Sequence, residues 1–337
     1  MTIILGIILF GILILVHELG HFLTAKLFGI RVHAFAIGMG PAIWKKTWKG
    51  TEYALRVLPI GGYVKLEGED EASEDPAAFG NKSPLRRIIV LFAGGFMNVL
   101  IGFLIFTILF SSVTQIGIPV VDSVIPGTPA ASAGLLPGDE IIEINGKTIH
   151  IQNDMSLAMM KNGDKTMDVT IKRDGEKHQL KITPKADPES GTYILGFYRQ
   201  VRKMTPGLAI KTAYHNTFFV VDLVYYSLTE MITGHVQLSD MSGPVGIVSE
   251  MNSVAKSEAP VLNMLNFIGL IAVNLGVMNL LPIPALDGGR IFFVLVELIR
   301  RKPIKPEHEG LVHFIGFVLL IALMLIITFS DIQKMFA

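Results

Sequence analysis

Five residues near the start of the chain have the types and spacing of a metal-dependent hydrolase site. They read His17-Glu18-Leu19-Gly20-His21. Residues four apart lie on one face of a helix, so both imidazoles can reach one zinc ion. Glu18 lies about 100° around the helix from His17, where it can take a proton from a water that attacks a peptide carbonyl. The spacing therefore predicts half of a metallopeptidase site.

This half-site lies in a segment that is apolar enough to cross a membrane. An unbroken apolar run from Ile3 to Val16 precedes the two histidines. Ionisable side chains inside a membrane cost roughly 2.5–3.5 kcal/mol each on insertion scales, so three of them within five residues need a compensating partner such as a metal ion. No basic residue precedes the apolar run, as a secretory signal peptide would require, so we expect the segment to be retained.

Two histidines and a water leave one protein ligand missing from a tetrahedral catalytic zinc site. The chain has no cysteine, so this ligand should be His, Asp or Glu. The candidate is Asp287, in the segment Asn279-Leu-Leu-Pro-Ile-Pro-Ala-Leu-Asp-Gly-Gly289. Pro282 and Pro284 disfavour a regular helix, so we expect irregular backbone that carries a carboxylate. An ordinary loop at the end of a helix would have the same composition.

The composition indicates a protein with both membrane and aqueous parts. Half of the residues are hydrophobic, 17% are charged, and the mean hydropathy is +0.51. Lys plus Arg and Asp plus Glu both number 29, so no net charge points to a nucleic-acid partner. The expected surroundings are the lipid bilayer and its proteins.

We predict a multi-pass α-helical membrane protein with four transmembrane helices, because four segments are long enough to cross about 30 Å of hydrocarbon. Lys and Arg are concentrated after the first and third segments, which places those two loops in the cytoplasm by the positive-inside rule. Both termini and the stretch from about 111 to 260 are then extracytoplasmic. His17 and Asp287 both lie toward the cytoplasmic leaflet. The segments are 3–25, 88–110, 261–281 and 311–329.

Residues 206–236 form a further apolar segment that could change this topology. The segment contains His215, Asp222 and Glu230, which favour an amphipathic helix on the membrane or on the protein. A fifth crossing would put Asp287 on the opposite side from His17. The metal site therefore depends on four crossings.

Two further regions have strand patterns. Residues 31–66 predict a membrane-associated cytoplasmic β-hairpin region with a turn at Lys49-Gly50. An exposed strand edge near the zinc could hold a substrate in extended form by β-augmentation, although a simple hairpin fits equally well. The external stretch has alternating strands within 121–146, followed by strands at 166–173 and 178–183.

Together these motifs resemble the site-2 protease family of intramembrane zinc metalloproteases (peptidase family M50B), in its bacterial branch that cleaves anti-sigma factors and signal-peptide remnants. The resemblance covers nearly the whole chain. It is carried by the His-Glu-Leu-Gly-His segment, residues 93–98, a PDZ-like segment at 117–183, residues 242–247, and the motif from Asn279 to Asp287.

The resemblance implies one catalytic Zn²⁺ with Glu18 as the catalytic base. Asn279 and Pro284 match positions that the family uses to handle substrate. Substrates would be single-span membrane proteins, cut near the cytoplasmic side of a bacterial cell membrane after extracytoplasmic trimming. The PDZ domain would limit access to the site by substrate size. The implied metal ligands are His17, His21 and Asp287.

We accordingly predict four parts of the chain. Residues 1–115 form the first half of a membrane protease core, and residues 116–184 form an extracytoplasmic α+β PDZ domain. Residues 185–258 form a linker that holds the amphipathic helix. Residues 259–337 form the second half of the core, with the Asp-Gly motif at 286–289.

Two other functions fit parts of the sequence. A membrane zinc transporter could use the same histidines, but transporters usually show internal repeats and more spans. Metal uptake that needs His17 but not Glu18 would favour it. A catalytically inactive adaptor could display a PDZ domain, but zinc binding alone would not need Glu18.

Overall fold

A computed structural model of the protein describes residues 2–69, 71–187, 192–235, 242–302, 304 and 306–336. The chain forms two compact units. The first comprises Met1–Ile105 together with Val224–Ala337, and the second is Phe106–Leu223. All of the predicted metal ligands belong to the first unit.

Among the described residues, four helices are long and apolar enough to cross a membrane, which agrees with the four predicted segments. The third of them ends two residues before its predicted end, because Pro282 prevents the helix from continuing. The helices are α1 (Thr2–Leu27), α2 (Pro84–Ser111), α7 (Pro260–Asn279) and α9 (Pro306–Phe336).

Close approach of backbones holds α2 against α1 and α7. A Cβ added at Gly20 of α1 would lie 2.4 Å from the carbonyl oxygen of Ala93, and one at Gly95 would lie 2.8 Å from that of Gly276 in α7. Lipid gives helices little hydrophobic reason to associate, so small residues that permit close packing stabilise such contacts. The segments that bear the site are therefore packed closely together.

The region after α1 is a β-hairpin formed by β1 (Val32–Trp48) and β2 (Thr51–Leu66). One part of β1 pairs with two separate parts of β2. Ala34–Ile37 of β1 pairs with Glu52–Leu55 and also with Gly62–Lys65. The segment Gly62–Leu66 pairs with β1 on one side, and among the described residues it has no strand partner on the other. We call Gly62–Leu66 the edge segment.

Helix α6 (Pro244–Ala255) packs between α1 and α7 through Met251, which is buried in their shared apolar core. Its start is held by Asp331 of α9. One carboxylate oxygen of Asp331 accepts the backbone N–H groups of Gly243 and Gly246 at 2.9 and 2.8 Å. These are donors that the first turn of a helix cannot satisfy by itself.

The second unit contains a sheet with strand order β10-β3-β4-β6-β7, to which β5 adds beside β4. Alternate residues of the central strands point into one apolar core that includes Val121, Ile141 and Val169. Helices α3 (Pro129–Ser132) and α4 (Gln152–Asn162) accompany it. The strands are β3 (Gln115–Val124), β4 (Glu140–Ile144), β5 (Lys147–Thr148), β6 (Met167–Arg173), β7 (Glu176–Ile182), β8 (Lys185–Ala186), β9 (Tyr193–Ile194) and β10 (Phe197–Lys203).

This sheet corrects the predicted domain boundary at 184. Strand β10 pairs with β3, and Leu195 belongs to the same buried core, so the domain continues to Lys203. The sequence assigned this stretch to the linker at 185–258. The reason is that β10 reads Phe-Tyr-Arg-Gln-Val-Arg-Lys, which lacks a clear apolar alternation.

Helix α5 (Pro206–Ile232) has one buried face and one exposed face, as an amphipathic helix does. Ala209 and Ala213 are fully buried, whereas Tyr214 and Phe218 are about half exposed. The helix is not among the four membrane-span candidates of the described residues. Its predicted end at residue 236 lies outside the part of the chain that the structure describes.

The ion pair between Asp139 and Arg173 allows the stability of the sheet in the second unit to be tested. Asp139, 1% exposed, accepts the Leu136 N–H and two bonds from Arg173, each at 2.7–2.8 Å. Burial alone would raise the pKa of Asp139, but these hydrogen bonds lower it below its usual value. The ionised form therefore stabilises the unit above that usual pKa, and the stabilisation is lost as pH falls through the lowered value.

We expect Asp139→Asn to destabilise the second unit by about 1.5–3 kcal/mol at neutral pH, because it removes the charge that accepts these bonds. Hydrogen exchange of the β4 and β6 amides in the intact protein would measure the loss. Asp122→Asn, at an exposed position on β3, is the matched control. Equal protection in the two variants would show that the ion pair contributes nothing.

Candidate active site

Three candidate ligand atoms converge on one point, two from α1 and one from Asp287, which directly follows the loop after α7. The Nε2 atoms of His17 and His21 are 3.1 Å apart. They lie 3.1 and 3.2 Å from Oδ2 of Asp287. Zinc bonds of about 2.0–2.1 Å in a tetrahedral site place ligand atoms roughly 3.3–3.4 Å apart, so the triangle has the size for one such ion.

The protonation of these groups also fits a cation. Nδ1 of His21 lies 2.8 Å from the carbonyl oxygen of Val90. A carbonyl can only accept, so Nδ1 carries a proton, and in the neutral imidazole Nε2 is left free to bind a metal ion. Nε2 lies 3.2 Å from Oδ2 of Asp287, a buried carboxylate oxygen. A cation held between these atoms would make so short a spacing favourable.

The loop that carries Asp287 is shaped by a turn and two glycines. Helix α8 (Asp287–Arg300) begins at the carboxylate itself, where the helix dipole favours a negative charge. A Cβ at Gly288 would lie 2.2 Å from the carbonyl oxygen of Leu281, and one at Gly289 would lie 2.4 Å from that of Ile283. The two glycines are therefore required for the loop to pass so close to α8.

Helix α2 forms the wall behind the two histidines. A Cβ at Gly94 would stand 2.3 Å from Nε2 of His21 and 2.7 Å from Cε1 of His17. One turn earlier, Val90 supplies the carbonyl that orients His21. Neither residue has a type or spacing that predicts a role in the site. Val90 acts through its backbone and leaves no signal in the sequence, and Gly94 was included only as part of the motif at 93–98.

Glu18 lies beside this triangle and next to the hairpin. The backbone N–H of Val64 donates a hydrogen bond to the carboxyl group of Glu18. A Cβ at Gly62 would lie 3.4 Å from Cγ of Glu18. The carboxyl group is thus held between the candidate metal ligands and the edge segment.

The two predicted substrate residues lie between the last turn of α7 and Asp287. Asn279 is the last residue of α7. Pro284 packs against α9, where a Cβ at Gly316 would be 2.4 Å from the Pro284 Cβ. Their contact with substrate remains a prediction. Among the described residues, His17, His21 and Asp287 are the one group of three or more His, Asp or Glu side chains close enough to share a metal ion.

The profile of Peptidase family M50 matches residues 5–323. The chain belongs to this family. It is therefore a zinc metalloprotease, as the predicted cofactor and the resemblance to site-2 proteases required. Membership of a peptidase family disfavours the transporter and adaptor alternatives.

Relatives match the chain from end to end. A protein of Clostridium acetobutylicum with a provisional zinc metalloprotease name is 39% identical and covers 98% of this chain and 97% of its own length. The regulator of sigma-W protease RasP of Bacillus subtilis is 31% identical over 99% of both chains. That alignment has 419 positions against 337 residues here, so the relative contains segments without a counterpart in this chain.

One solved structure similar to part of the chain is the PDZ domain of an SdrC-like protein from Listeria monocytogenes. It is 28% identical and covers 26% of this chain and 92% of its own, with a TM-score of 0.23.

We expect Gly94→Ala to weaken zinc binding by about 10- to 100-fold, because the added methyl group would displace the two imidazoles. Competition with a chelator in detergent would measure the affinity. Gly310→Ala, on α9 with no atom within 4 Å of the added Cβ, is the matched control. Unchanged zinc affinity in Gly94→Ala would show that the close contact with α2 does not define the site.

Proposed function

We propose that this enzyme cuts single-span membrane proteins within or near the cytoplasmic side of a bacterial cell membrane, after earlier extracytoplasmic trimming. His17, His21 and Asp287 hold the zinc, and Glu18 is the general base. The convergence of the three ligand atoms, 3.1–3.2 Å apart, is the observation that supports the assignment best.

The roles of the side chains follow from their positions. Zinc, when bound, polarises the scissile carbonyl and acidifies a water. The Glu18 carboxylate takes the proton from the attacking water and returns it to the departing amine. Val90 keeps the proton of His21 on Nδ1, so that Nε2 stays available as a ligand. Asp287 supplies a negative charge that binds the ion more strongly than a neutral ligand would.

A transmembrane substrate must be unwound before it can be cut, because helical carbonyls are already hydrogen-bonded and shielded. The edge segment next to Glu18 supports substrate binding by β-augmentation, in which backbone hydrogen bonds hold the substrate extended. Asn279 and Pro284 would contact the unwound part, since both flank the irregular loop before Asp287. A strand edge and the general base would then act on the same peptide.

The class of substrate is supported by the relatives. The Bacillus protein is named as a regulator of sigma-W, which favours a substrate of the anti-sigma-factor type, while a signal-peptide remnant would meet the same geometric demands. The side of cleavage is supported by the basic loops after α1 and α7.

We expect Glu18→Gln to keep its zinc and to lose cleavage of a single-span substrate by about 10²–10⁴-fold, because the amide cannot take a proton. Asp287→Asn should instead lower the zinc content itself. Purification in detergent, zinc quantification and a gel-based cleavage assay would separate the two effects. Equal cleavage by wild type and Glu18→Gln would remove Glu18 from the mechanism.

The absence of cysteine makes the proposed topology directly testable. Single cysteines at Lys49, in the hairpin turn, and at Asp174, in the turn between β6 and β7, provide two reporters. In cells whose outer layers admit the reagent, a membrane-impermeant maleimide should label Asp174→Cys directly. Lys49→Cys should react only after the membrane is opened, and the reverse pattern would invert the topology.

A further inference from the structure

Helix α9 contacts the loop that carries Asp287 through His313. Nδ1 of His313 lies 2.9 Å from the backbone nitrogen of Ala285. Because the N–H donates, Nδ1 must carry no proton, and the imidazole is the neutral form protonated on Nε2. The ring is largely buried and packs against Phe293, with ring centroids 5.6 Å apart. The contact therefore has a defined geometry.

The Ala285 N–H belongs to a turn that is strained for its sequence. The turn spans Ile283 to Leu286 and is closed by the Leu286 N–H, which donates to the Ile283 carbonyl at 3.2 Å. Pro284 occupies the first central position, and Ala285 the second with φ of +75°. This is the pattern of a type II turn, whose second central position usually holds Gly because a Cβ is disfavoured there. The hydrogen bond to His313 stabilises that conformation.

The turn determines where the Asp287 carboxylate lies. Leu286 follows in extended conformation, with φ −104° and ψ 162°, and Asp287 then begins α8. A different φ at Ala285 would redirect this short connection.

 Because only Leu286 separates Ala285 from Asp287, a change at Ala285 moves the carboxylate. Gly316 of α9 packs closely against Pro284 of the same turn. Helix α9 therefore contacts the turn at two places, Pro284 and Ala285.

We propose that His313 is a positioning residue for the third metal ligand. By accepting the Ala285 N–H, it holds the turn in its left-handed conformation and thereby fixes the carboxylate of Asp287 against His17 and His21. The inference rests on the proposed ligand set, and it gives α9 a part in a site to which α9 contributes no ligand. Groups that orient a ligand without touching the metal commonly affect metal affinity and activity.

Two substitutions at His313 separate hydrogen bonding from packing. His313→Phe removes the acceptor and keeps an aromatic ring against Phe293. His313→Asn keeps an acceptor, because its Oδ1 occupies nearly the same place as Nδ1 of the imidazole. His308→Phe makes the same change at an exposed position of the same helix and is the matched control.

All measurements use the whole protein purified in detergent. These are zinc affinity by chelator competition, the visible absorption of bound Co²⁺, which reports ligand geometry, and kcat and KM for a single-span substrate. We expect His313→Phe to lower metal affinity and kcat by about 10- to 100-fold, with an altered Co²⁺ spectrum and little change in KM. His313→Asn and His308→Phe should remain close to wild type.

A substitution in the turn gives an independent test. Glycine adopts positive φ without strain, so Ala285→Gly should change little alone and should restore much of the loss when combined with His313→Phe. Such rescue is expected only if His313 acts by holding the turn. A purely structural role for the ring would leave the double variant as impaired as His313→Phe.

Three results would overturn the proposal. One is wild-type metal affinity and Co²⁺ spectrum in His313→Phe. The second is an equal loss in His313→Phe and His313→Asn, and the third is no rescue by Ala285→Gly. Asp287→Asn distinguishes a failure of the ligand assignment from a failure of the positioning role of His313. Unchanged metal binding in Asp287→Asn would refute the ligand assignment itself. Loss of metal in Asp287→Asn with none in His313→Phe would refute the positioning role alone.

Discussion

The convergence of three polar side-chain atoms on one point is the constraint on which the rest of the site depends. Two imidazole nitrogens and a carboxylate oxygen lie 3.1–3.2 Å apart on largely buried side chains. A divalent cation among them would be attracted to all three. The surrounding protein must therefore hold the ligands together firmly enough that the ion finds them already arranged.

Much of this arrangement comes from backbone rather than from side chains. Glycines of α1, α2 and α7 allow close helix contacts, and Gly94 leaves the space that the imidazoles occupy. The carbonyl of Val90 selects the His21 tautomer, and the N–H of Val64 holds Glu18. A protein that must satisfy its polar groups without bulk water uses the backbone as a source of fixed donors and acceptors.

The sequence predicted the parts of the site that depend on side-chain type. Helical spacing of His17 and His21, a cysteine-free composition and a carboxylate after a broken helix were enough to name three candidate ligands that the fold brings together. Hydropathy located four candidate spans among the described residues. Val90 and His313 could not be predicted, because each contributes through a contact with the backbone that only the folded chain brings about. Strand β10 was missed because its pairing with β3, rather than its own composition, makes it a strand.

The distance along the chain between the ligands has a consequence for biosynthesis. Asp287 follows His21 by 266 residues, which is roughly 10–50 s of translation at usual rates. Throughout that interval α1 exists without the third member of the candidate site, and the loop before α8 has not been made. The candidate site can therefore be assembled only after the second half of the chain has been made.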